Sequence, residues 1–216
     1  MKFSNIYIPT YIICSPESEN KKIFIEKEFS KRKEFQIQFV EFQNSFQRSA
    51  LEFECVKNII DKITNENDDD VIAICTENHV FTSYYNCNKF LNQVIDASEK
   101  GVDILLGGVH GFRNMMPINK NLFWVDYVCG CDFILVFRSA FSLIANYKIS
   151  EKDTFEEFIY TNVHNKLVVY PFISSKNMSC LDIDKNEYCE IQEYINDRIN
   201  TYIRIIDKYN INTLSI

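Results

Sequence analysis

Apolar runs and amphipathic stretches take turns along the first half of the chain. "TYIIC", residues 10 to 14, is a continuous apolar run preceded by Pro9, which cannot donate to a ladder, and it predicts a buried strand. The loop "SPES" then opens a helix on which Ile23, Ile25 and Phe29 continue the helical spacing. "FQIQFVEF", 35 to 42, alternates with period two and predicts a second strand. Between Ser49 and Ile63 the apolar residues Leu51, Cys55, Val56, Ile59, Ile60 and Ile63 fall on one helical face. After the solvated turn "NENDDD", the unbroken "VIAIC" at 71 to 75 reads as a strand buried on both faces.

The second half is less regular. Phe90, Leu91, Val94, Ile95 and Ala97 make a helix, closed at Lys100 and Gly101 by a C-terminal glycine cap. "VDILLGG" is a strand that breaks at Gly107 and Gly108, and "LFWVDYVCGCDFILVF" holds two strand segments around Gly130. "SAFSLIANY" is a short helix, and Asp153 with Glu156 three residues on predicts a capping box for "TFEEFIYTNV". "KLVVYPFIS" is the last expected strand, followed by the long amphipathic helix "EYCEIQEYINDRINTYIRIIDKY". Strand and helix alternate throughout the first 110 residues, which predicts a parallel, doubly wound α/β sheet. Ligands of such sheets bind beyond the carboxyl ends of the strands. The loops after Cys14, Phe42, Cys75 and Leu106 are therefore expected to share one rim.

Composition narrows the classes. At 216 residues the chain buries most of its surface without needing a metal or disulfide, and 18 Phe with 12 Tyr point to an aromatic core and cleft. A net charge of −7 without a basic stripe argues against nucleic acid and anionic membranes, but leaves room for a small anion held by a local Lys or Arg pair. No leader pattern and no membrane-length apolar run stand out, so a soluble, cytoplasmic protein is expected. The eight Cys lack framework spacing, and Cys14 and Cys75 read as small core hydrophobes. Cys129 and Cys131 bracket Gly130, but no second Cys pair or nearby His completes a zinc set.

Glu77, Asn78 and His79 follow the "VIAIC" strand directly. They offer a carboxylate, an amide oxygen and a nitrogen acceptable to Mg²⁺ or Mn²⁺, yet equally make a polar strand end with His79 bonded to a backbone carbonyl. Gly107 and Gly108 permit close backbone approach to a ligand, or a tight turn. No P-loop, GxGxxG fingerprint or GxSxG elbow is present. Asp126 and Asp132 flank "YVCGC", where either serves as a general base at a cleft or as a hydrogen-bonding residue at a hairpin end.

"DDDVIAICTENHVFTSYY", "GVDILLGGVHG", "NLFWVDYVCGCDFILVFRSAF" and "KLVVYPFISS" resemble, in order and spacing, bacterial glycosyltransferases of GT-A-type fold near glycosyltransferase family twenty-five. The resemblance spans roughly residues 10 to 182. It implies a single domain over 1–216, with a nucleotide-sugar half at 1–110, an acceptor half at 111–185 and a terminal helix at 186–216. It further implies transfer of a sugar from a nucleotide-sugar donor to the hydroxyl of a glycan or other acceptor, assisted by Mn²⁺ or Mg²⁺. The metal and diphosphate would sit at Glu77, Asn78 and His79; the nucleotide would lie against Ser15, Pro16, Lys21, Lys22, Gly107 and Gly108. Asp126 is the first choice for acceptor base, with Asp132 and Asp182 as rivals.

The chain departs from the family's acidic motif, Glu-Asp-Asp-His. Thr76 stands at the Glu, Glu77 at the first Asp and Asn78 at the second, while His79 agrees. One carboxylate where three are usual weakens metal binding. Without metal, Lys21, Lys22, Arg48 or Arg113 would have to carry the leaving-group charge. A later glycine-aromatic-serine-aspartate element is reduced to "NMSCLD", with only Asp182 kept. Two other classes stay open: a catalytically silent relative that binds a nucleotide sugar or a protein partner, and an unrelated nucleotide-binding α/β domain.

Overall fold

The computed structural model describes residues 6–16, 19–42, 48–66, 69–177 and 185–209. The first three strands are β1 (Ile8–Cys14), β2 (Phe35–Glu41) and β3 (Val71–Thr76). Helices α1 (Glu19–Phe29) and α2 (Arg48–Glu66) connect them, and all three strands run parallel. The short β4 (His79–Phe81), α3 (Cys87–Glu99) and β5 (Ile104–Leu106) follow. The chain then makes β6 (Gly111–Phe112), β7 (Met115–Pro117), β8 (Leu122–Val125), β9 (Val128–Cys129) and β10 (Phe133–Phe137). Helices α4 (Arg138–Ala145) and α5 (Phe155–Asn162), strands β11 (Lys166–Val169) and β12 (Ser174–Lys176), and α6 (Lys185–Tyr209) complete it.

Eight strands form the central sheet in the order β2-β1-β3-β10-β5-β11-β8-β7. β10 runs against both β3 and β5, and β8 runs against β11 and β7, so the other six strands share one direction. The mostly parallel α/β sheet expected from the sequence is therefore present, with β10 wedged antiparallel into its middle. Period two decides the layers. Ile72 and Ile74 face the core under α2, α4, α5 and α6; Ala73 and Cys75 face the core under α1 and α3. An interior strand coated on both faces has no polar side to show, which is why "VIAIC" reads as unbroken apolar sequence.

Two expectations need correcting. Asp153 does not cap α5. It accepts from the Ser150 backbone N–H at 2.9 Å and hydroxyl at 2.7 Å, closing the preceding turn, and Thr154 takes the cap by accepting from the Glu157 N–H at 2.9 Å. "KLVVYPFIS" is not one strand either: β11 ends at Val169 and the chain passes Pro171, which has no N–H to donate, before β12 begins at Ser174. The glycine cap of α3 is as expected, with Gly101 at φ +64°.

Candidate active site

The carboxyl ends of β1 and β3 meet the amino end of β10 at a cleft of about 760 Å³. Asp132, one residue before β10, is 7% exposed and lines it. Its Oδ1 accepts from the Thr76 hydroxyl at 2.7 Å, so the end of β3 supplies a donor to the neighbouring carboxylate. His110 Nε2 lies 3.1 Å from Oδ2, an ion-pair distance when the ring is protonated, yet off the line of a hydrogen bond, which leaves Oδ2 without a well-directed partner. Burial pushes the Asp132 carboxyl up, but the close polar contacts of His110 and Thr76 and the charges of His110 and Lys176 outweigh it and hold the group below its ordinary range. It is a carboxylate at neutral pH.

His110 is fixed from three sides. Its backbone N–H donates to the Cys129 carbonyl at 2.9 Å, its ring meets Tyr188 of α6 edge-on at 5.5 Å, and its Nδ1 rests over Gly130. Gly130 has φ +70°, and a Cβ there would lie 2.1 Å from Nδ1. Glycine is required on both counts. Lys176, at the end of β12, and Lys21, on α1, bring two ammonium groups to the cleft; Glu52 and Glu156 bring carboxylates from α2 and α5. Glu156 is engaged by the Cys131 N–H at 2.9 Å.

The residues at the strand end do not converge. Glu77 is 1% exposed and its oxygens accept from the Ser15 N–H at 3.0 Å and the Lys21 ammonium at 2.6 Å, which ties the start of the β1–α1 loop to β3. His79 is fully buried, stacked on Phe133 and edge-on to Phe81, with Nδ1 2.9 Å from the Ser174 hydroxyl. Burial drives its imidazole down to about 3 against the pull of Asp132, so it is neutral at working pH. Asn78 alone of the three lines the cleft, and its Oδ1 is buried with no hydrogen-bond partner. The residues present do not make a divalent-cation set: the one carboxylate of the motif is consumed within the fold. Among the described residues no group of three or more His, Cys, Asp or Glu is placed to hold a metal.

The remaining candidates are scattered. Gly107 and Gly108 admit the chain's own backbone: the Gly107 carbonyl accepts from the Ile173 N–H at 2.8 Å, and a Cβ on Gly108 would lie 2.3 Å from the Ser174 carbonyl oxygen. Asp126 lies past the amino end of β11, on the rim of the sheet away from Asp132. There it accepts from the Asn114 N–H at 2.8 Å and side-chain amide at 2.6 Å, with Arg113 at 3.2 Å, and seals the end of the β7–β8 pair. Lys22 pairs with Glu41, Pro16 is exposed, and Arg48 begins α2. Asp182 lies outside the described residues. Burial pushes the Cys129 and Cys131 thiols up, the opposite of a metal-binding thiolate.

Lys176, His110, Glu52 and Glu156 are charged or titratable cleft residues that the sequence does not mark as a site. Lys176 sits in a three-residue strand without periodicity, whereas the "GGVHG" loop lies on the rim that strand alternation predicts and carries the sequence signal for His110.

No family model and no curated protein matches the chain. Among solved structures, a glycosyltransferase involved in glycosylation of the major capsid of PBCV-1 is 13% identical with a TM-score of 0.50, over 88% of this chain and 99% of that one. Apo UDP-glucose pyrophosphorylase is 7% identical with a TM-score of 0.49, over 88% and 82% of the two chains. HddC from Yersinia pseudotuberculosis is 12% identical with a TM-score of 0.44, over 86% and 78%. The likeness to the PBCV-1 enzyme shows a GT-A-like fold.

Proposed function

We propose that the chain is a nucleotide-sugar-dependent glycosyltransferase whose acceptor base is Asp132. One observation carries this reading: a buried carboxylate, ionised at neutral pH and with one oxygen lacking a directed hydrogen bond, lines a cleft at the carboxyl ends of the parallel strands. The acceptor hydroxyl oxygen bonds to the anomeric carbon, the bond from that carbon to the diphosphate breaks, and the nucleoside diphosphate leaves with the electron pair. The hydroxyl proton passes to Asp132. Thr76 and His110 orient the carboxylate. Asp126, held by four hydrogen-bond donors on the far rim, fits a structural role.

Donor turnover tests this. UDP-glucose, GDP-mannose and related donors are titrated calorimetrically and assayed for hydrolysis and transfer. Asp132→Asn is expected to keep donor binding within a few-fold and to lose about 10²–10⁴ in turnover, the range of a positioned general base. Equal turnover in Asp132→Asn and wild type removes Asp132 from the role, and failure of every donor to bind removes the reading. The diversion of Glu77 into an internal ion pair favours a second reading, a silent nucleotide-sugar binder, for which the same experiment gives binding without turnover.

A further inference from the structure

Two lysines flank the strand end at Glu77, Asn78 and His79, the set that the sequence offered to a metal. Lys21 contacts Glu77, and Lys176 is paired across the β4–β12 ladder with His79, so both flank the turn at 77–79. The Asn177 N–H donates to the Asn78 carbonyl at 2.7 Å and fixes the end of β12 against that turn. Both lysines line the cleft beside Asp132. Lys21 shares its charge with Glu77; Lys176 has no carboxylate within salt-bridge distance among the described residues. Of the other cationic side chains considered from sequence, Lys22 pairs with Glu41 and Arg113 with Asp126 on the far rim.

A leaving nucleoside diphosphate concentrates negative charge on two phosphates, which a transferase must neutralise with a metal ion or with fixed cationic side chains. The turn at 77–79 commits its one carboxylate to Ser15 and Lys21, and two ammonium groups flank it at the cleft. We infer that Lys176, with Lys21 beside it, carries the diphosphate charge of the donor, so that this chain binds nucleoside diphosphates without a divalent cation. The inference rests on the nucleotide-sugar reading of the cleft. Lysine suits the role as a compact point charge on a flexible stem, able to follow the phosphates as the bond breaks.

The test is isothermal titration of UDP, GDP and inorganic diphosphate into the full chain, in excess EDTA and again with Mn²⁺. At least one probe is expected to bind in EDTA, with Mn²⁺ changing its Kd less than about threefold. Lys176→Gln should weaken that binding about tenfold or more, the scale of losing a charge-assisted contact to phosphate, and Lys176→Arg should restore most of it. Lys100→Gln, at the end of α3, paired with Asp96 and outside the cleft, should leave it unchanged. Far-ultraviolet dichroism and Tm of each variant separate lost binding from lost folding, and the Arg variant keeps the test open if the Gln variant does not fold. Binding that requires Mn²⁺ overturns the inference and leaves the nucleotide-sugar reading standing. EDTA-resistant binding that ignores Lys176→Gln also overturns it. No binding of any probe in either condition overturns both together.

Discussion

Gly130 and Gly101 both sit at left-handed φ, +70° and +64°, but only Gly130 has a neighbour to meet. Left-handed backbone costs a residue with a Cβ about 1–2 kcal/mol, and forcing an atom into His110 adds about 1–3 kcal/mol of overpacking. Gly130→Ala is therefore expected to lower urea stability by about 2–5 kcal/mol and to disturb the His110–Asp132 contact, whereas Gly101→Ala costs about 1–2 kcal/mol and leaves the cleft intact. Equal costs would mean that the His110 ring simply moves aside. Asp126 gives a second test at this scale. Slight burial pushes its carboxyl up, but the hydrogen bonds of Asn114, Tyr127 and Arg113 bring it from 3.8 down to about 2. Because the folded value is the lower one, its contribution is complete above pH 3.8 and fades as pH falls towards 2. Asp126→Asn should cost about 1–2 kcal/mol at pH 7, with the gap to wild type closing over that acid window. A gap independent of pH would show that the hydrogen-bond geometry, and not the charge, stabilises.

Elements were legible where burial is regular and illegible where partners are distant in sequence. β1, β2, β3, α2 and α3 follow from periodicity, because each carries a regular apolar pattern that packs on the core. β4, β6, β9 and β12 are two or three residues long and exist only through pairing with segments from 16 to 97 residues away, a range that local pattern does not report. The same limit governs the site. Its rim was readable from the strand alternation, but the internal use of Glu77 depends on Ser15 and Lys21, 62 and 56 residues away. The cap of α5 shows a finer limit, since Asp153 and Thr154 both suit the role and the Ser150 turn decides between them. Thr154→Ala should lower stability by about 1 kcal/mol with an unchanged urea m-value, and Thr154→Ser should recover most of it. A larger loss from Asp153→Ala would not contradict this, because that change dismantles the Ser150 turn; no loss from Thr154→Ala would.

At the scale of the molecule, the order of the central sheet bears on whether the chain is one cooperative unit. β10, from the second half, lies between β3 and β5 of the first, and β5 in turn pairs with β11. α6 reaches back to the same core: Ile195 and Ile199 are buried with Phe53 of α2, and Arg198 lies 4.8 Å over the Phe112 ring. Neither half can bury its own strands without the other, so the chain is expected to unfold in a single transition. The sole tryptophan, Trp124, sits on β8 near one edge of the sheet, with its indole N–H bonded to the His164 carbonyl at 3.0 Å. Its fluorescence reports that edge, while far-ultraviolet dichroism reports all the helices. The two urea curves should coincide. Ile199→Ala, which removes a fully buried side chain of α6, should cost about 2–5 kcal/mol and shift both curves by the same amount. If fluorescence is unmoved while dichroism shifts, α6 and the far edge are separate units, and the cleft, which takes residues from both halves, is held together by less than the whole core.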